Sequence, residues 1–65
     1  MQGTTFTIVA FPAGQRKVVG TIHGTREGAI AAAKPQAKVR EEFVDVFVAG
    51  TTERVAIVGP DGEVI

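Results

Sequence analysis

The chain has no cysteine, tryptophan or tyrosine, and it also lacks leucine, serine and asparagine. Without cysteine there is no disulfide staple and no thiolate, either as a zinc ligand or as a nucleophile. With a single histidine, a metal cage has almost nothing to be built from, and no metal or cofactor is expected. Without serine or cysteine, a catalytic triad would have to call on threonine. Glu41, Glu42 and Asp45 are near in sequence, but nothing marks them as a paired-carboxylate site rather than a solvated junction. The expected reading is therefore non-enzymatic. No apolar run approaches the roughly 20 residues of a membrane span. Met1-Gln2-Gly3-Thr4 has no basic stretch leading into an apolar one, as a signal peptide would. A cysteine-free chain suits a reducing compartment, so a cytoplasmic location without a membrane partner is expected.

What the chain does contain is β-branched side chains. Valine, isoleucine and threonine make up 22 of its 65 residues. Branching at Cβ suits pleated strands and restricts rotamers in helices, so the chain reads as mostly strand with its alanine-rich middle as helix. Thr4 to Phe11 alternates with period two, Phe6, Ile8 and Ala10 against Thr5, Thr7, Val9 and Phe11, which is a strand signal. Pro12-Ala13-Gly14-Gln15 supplies turn chemistry. Lys17 to His23 forms a second strand, with Val18, Gly20 and Ile22 on one face and Val19, Thr21 and His23 on the other. The short link makes the two an antiparallel hairpin.

Thr25 is an N-cap and Glu27 suits the first helical turn. Pro35 removes one hydrogen bond and crowds the Ala31 carbonyl, so a kinked or broken helix over about residues 26–39 is expected. Its buried stripe is Ile30, Ala33 and Ala37, with Ala29 beside it. Phe43 to Ala49 and Arg54 to Gly59 read as two more strands around the connection Gly50-Thr51-Thr52-Glu53. Pro60-Asp61-Gly62 is a turn, because proline presets φ and glycine takes a positive one. Val64-Ile65 then pairs back as a short terminal strand. The 65 residues form one small α+β domain, ββαββ, a four-stranded mainly antiparallel sheet with one helix packed on one face. Strand order is not legible.

Two arguments point to association. A domain of this size buries only about 60% of its unfolded surface and has neither disulfide nor metal to help. Several strands are also apolar on both faces, while one helix covers one face. The second face would then expose several of Val9, Phe11, Val19, Phe43, Phe47 and Val58, an apolar area of the kind that marks an interface. A two-fold homodimer burying sheet against sheet is the simplest closed solution, and an edge strand pairing across the axis is the next.

Charge is split by position although the net charge is zero. Residues 1–40 carry six bases and one acid, a net of +5, and residues 41–65 carry one base and six acids, a net of −5. Such blocks speak about partners rather than fold, and they admit a phosphate surface, an acidic docking surface or head-to-tail pairing of copies. The basic set is Arg16 and Lys17 at the first hairpin, and Lys34, Lys38 and Arg40 along the helix. They could grip nucleic acid, but without stacking aromatics other than phenylalanine, and Lys38 with Glu42 could simply form a local ion pair. His23, Thr25 and Arg26 at the helix start could hold an anion, although capping alone explains Thr25. The leading expectation is a self-associating interaction module that binds another protein in an accessory or inhibitory role. A dimeric nucleic-acid binder is the alternative, and an anion or small-ligand-binding dimer a weaker one.

Overall fold

The computed structural model describes residues 3–65. Met1 and Gln2, on which the leader reading partly rests, lie outside the described residues. The order is β1 (Thr4–Ala10), β2 (Lys17–Gly24), α1 (Arg26–Arg40), β3 (Val44–Val48) and β4 (Arg54–Val58). All strand pairs are antiparallel, in the spatial order β2-β1-β3-β4. The two hairpins thus lie side by side, joined through β1 and β3, and the helix crosses between them. The small α+β architecture expected from sequence is the one observed.

The helix meets the sheet through Ala29, Ile30, Ala33 and Ala37, the stripe read from sequence. These pack against Phe6, Ile8, Ala10, Val44, Val46, Ala56 and Val58. Alanine contributes little area of its own, so the large side chains of this core come from the strands. Thr25 caps the helix, accepting a hydrogen bond from the Gly28 amide at 3.1 Å. At the far end Glu41 takes a left-handed conformation (φ 55°). The Glu42 amide then donates to the Ala37 carbonyl at 3.2 Å and the Glu41 amide to that of Lys38 at 3.3 Å, a Schellman closure.

Of the two forms expected at Pro35, a broken helix and a single kinked one, the break is not observed: one helix runs from Arg26 to Arg40 with Pro35 inside it. Both Pro35 and Ala31, whose carbonyl loses its donor, are on the exposed side. The lost bond therefore falls on the solvent side of the helix, away from the core stripe.

Two β-bulges depart from strict alternation. The β1–β2 register shifts between Ile8 and Val9, so that Ile8 pairs Gly20 while Val9 pairs Val18. Val19 is the extra residue. The β3–β4 register shifts between Val46 and Phe47, which pair Ala56 and Arg54 and leave Val55 extra. Both extra valines pack against the helix-side core. Val19 is therefore not on the uncovered face, contrary to expectation. Val58 is also corrected: it pairs with Val44 and is fully buried under the helix.

The tail returns as expected. Val58 bridges Val64, and the Ile65 amide donates to the Ile57 carbonyl at 2.9 Å. The intervening turn closes by the Gly62 amide on the Gly59 carbonyl at 2.9 Å, with Gly62 at φ 85°.

Replacing Pro35 with alanine restores a helix donor without touching the core. Pro35→Ala is expected to raise stability by about 1–2 kcal/mol, the helix gain being offset in part by a freer unfolded chain. Urea denaturation followed by far-ultraviolet circular dichroism measures this, since the chain has no tyrosine or tryptophan to report by fluorescence. A fall in stability would show that the proline ring itself holds the helix.

Candidate protein-interaction site

The face away from the helix is built by the residues that alternate with the core. Register aligns them in rows across the sheet. One row is Val18, Val9, Asp45 and Ile57, and the next is Thr21, Thr7, Phe47 and Arg54. A third begins with His23 beside Thr5.

The rows differ in chemistry. The end nearest Gly24 is polar, with the His23 ring held by Thr5, Nδ1 to Oγ1 at 2.9 Å. Phe47 lies in the middle, half-buried, with the Arg16 guanidinium 5.9 Å from its ring centre. This cation–π contact makes Phe47 part of a covered surface rather than a free one. Asp45 is paired with Arg54 at 3.6 Å.

The opposite end is apolar. Phe11 and Phe43 follow and precede β1 and β3 at the same end of the sheet, 41% and 50% exposed. Phe43 is held against the chain turning out of β4, where an added methyl on Gly59 would come within 3.1 Å of its Cε2. Val18 and Ile65 are exposed at the two sides. Val9, expected to be exposed, is completely buried. Its strand neighbours on the open face are Val18 and Asp45, with Phe47 one diagonal away. On this face the exposed apolar area is thus smaller than the sequence suggested and lies toward one end: Phe11, Val18, Phe43 and Ile65, with Ile57 half-buried among them, while Val39 on the helix and Val64 beside β4 are exposed elsewhere. Strict alternation places Val18 on the covered face; the bulge at Val19 turns it out. Ile65 follows Val64 in the short terminal strand.

The basic residues do not form one surface. Arg16 lies over Phe47. Lys17 is exposed at the start of β2. Lys34 and Lys38 line a shallow cavity of 480 Å³ together with Pro60 and Asp61, so the two lysines share it with an acidic residue. Arg40 pairs at 4.0 Å with Glu42, and its Nε is buried without a partner. The Lys38–Glu42 pair expected at helical spacing is not formed, because the left-handed Glu41 ends the helix and carries Glu42 off its surface.

His23, Thr25 and Arg26 do not converge either. His23 faces Thr5 on the open face, Thr25 Oγ1 accepts from Gly28, and Arg26 Nε donates to the Val55 carbonyl at 3.3 Å. Each has a structural partner. Among the described residues, no cluster of three or more metal-ligating side chains occurs and no helix is long and apolar enough to cross a membrane. No family model, curated protein or solved structure matches this chain.

If Thr25 serves as a cap, Thr25→Ala should cost about 1 kcal/mol in stability while Thr25→Asp retains most of it. Inorganic phosphate should leave the midpoint of thermal unfolding of the parent unchanged. A phosphate-dependent rise that Thr25→Ala removes would instead assign the helix start to anion binding.

Proposed function

We propose that this chain is a non-enzymatic interaction module that self-associates through the open face of its sheet and in that state serves a partner protein. The observation that carries the reading is the apolar end of that face, where Phe11 and Phe43 stand exposed beside Val18 and Ile65. Two phenylalanines left about half exposed forfeit part of the roughly 1.5–3 kcal/mol that full burial of each contributes. A second copy is the occupant favoured here, because a domain of this size with no disulfide gains most from association. A two-fold axis through the patch would set Phe11 and Phe43 against the same residues of the second copy and close the assembly. The reducing cytosol suits a chain that does not depend on disulfides.

A nucleic-acid reading gains less support. Phosphate gripping needs cations gathered on one surface, and here Arg16, Arg40 and the pair Lys34 and Lys38 each have an aromatic or acidic neighbour.

Size-exclusion chromatography with light scattering, read by refractive index, tests the proposal. The parent should have more than the monomer mass at roughly micromolar to millimolar concentration, and Phe43→Asp should lose the face contact while remaining folded by circular dichroism. A parent that stays monomeric over that range overturns it, as does a Phe43→Asp variant that associates identically. An associated species absorbing strongly in the ultraviolet would indicate bound nucleic acid, since the chain itself is nearly dark there.

A further inference from the structure

The two edges of the sheet are treated differently. The β4 edge is closed: the tail supplies the Val58–Val64 bridge, the Gly59 amide donates to the Glu63 carbonyl at 2.8 Å, and Arg26 occupies the Val55 carbonyl. The β2 edge has no cover among the described residues.

Which β2 groups face outward follows from the ladder. The Thr5 carbonyl accepts from the Ala49 amide at 2.9 Å, so Thr5 directs its backbone toward β3. Direction alternates along a strand, so Phe6 and Thr4 address β2, and their partners Ile22 and Gly24 address β1. Thr21 and His23 therefore point both N–H and C=O outward. Both residues are exposed, and the His23 ring is held aside on the open face by Thr5. Beyond Gly20 the bulge at Val19 interrupts the regular edge. What remains is a regular segment, 20–24, without a charged residue.

We propose that this edge pairs with the same edge of a second copy, antiparallel about a two-fold axis at Ile22. In this register Thr21 exchanges both backbone hydrogen bonds with the partner's His23, and His23 does so with the partner's Thr21. Ile22 stands opposite its own copy as a non-hydrogen-bonded pair, about 4.5 Å apart at Cα. Its half-buried side chain already packs on the helix-side core, so the pair extends that core across the axis. Lys17 is the single charge on β2, and the register sends the two lysines to opposite ends rather than together. Because β4 is closed, the ladder stops at eight strands instead of growing. This contact deepens the self-association proposed above but uses different groups from the open-face patch, and a chain using both assembles beyond a dimer.

The test reads backbone and mass together. In the parent, hydrogen exchange of the Thr21 and His23 amides should slow about tenfold or more between roughly 10 µM and 1 mM, as mass action populates the pair. Thr21→Pro removes an outward donor without breaking a bond to β1, so it should stay folded and lose this contact. Phe43→Asp should keep the concentration-dependent protection. Fast exchange of both amides at every concentration overturns the edge pairing even if the parent associates, and leaves the open-face reading standing. An unchanged mass for folded Thr21→Pro at all concentrations overturns it as well. Protection that appears only on adding an unrelated extended peptide would overturn the second copy as occupant.

Discussion

The structure depends on how closely an alanine-lined helix can lie on a twisted sheet. Ala29, Ala33 and Ala37 let the helix backbone approach, and only Ile30 reaches in with a large side chain. A close helix is also a narrow one, and it cannot shield the width of four strands. The sheet makes up the difference from its own side. Each bulge delivers an additional valine, Val19 and Val55, to the flanks of the covered core. The bulges complete the core that the thin helix leaves open, and each re-aims the side chains beside it.

This explains which parts of the molecule were legible in the sequence. Period-two alternation located all four strands, and the alanine run located the helix and its buried stripe, because local periodicity and propensity decided those features. Strand order was not legible, since it depends on which hairpin edges meet, and nothing local records that. The bulges were not legible either: each extra residue is a valine that fits an apolar strand on either face. That one blind spot misplaced Val19 and hid the exposure of Val18. Val58 was misassigned for a different reason. Only the pairing with Val44 says that it lies under the helix. The hydrogen bond that Pro35 removes is a local loss, because the residue stands on the exposed side of the helix. Phe11 and Phe43 were found as exposed apolar residues because they lie just beyond the strands, where neither helix nor sheet can cover them.

The positional charge split loses its force once the chain is folded. Arg40 and Glu42 come from opposite sides of the block boundary and meet at the helix end, while Asp45 and Arg54 pair within the acidic block. Lys34 and Lys38 look onto the Asp61 turn. The two ion pairs, Arg40–Glu42 and Asp45–Arg54, are only partly shielded from solvent and contribute little to stability, about 0–1 kcal/mol each. Their consequence is for recognition, because each cation engaged locally is withdrawn from a common basic surface. Blocks of charge in a short chain become faces only when the fold keeps the blocks apart. Here the crossing helix belongs to the basic block and returns it to the acidic one.

The sheet edges carry the same argument into assembly. An unprotected edge invites unlimited pairing, and soluble proteins usually blunt it with lysine, proline or a bulge. This chain blunts β2 only over its first part, with Lys17 and the bulge at Val19, and leaves residues 20–24 regular. It closes β4 with its own tail and with a side chain from the helix. A sheet open on both edges could grow without end, and one closed on both would be inert. One closed edge and one short regular segment on the other permit pairing that ends after a single partner. The limit is geometric, set by a bulge and a returning tail rather than by repulsion between charges.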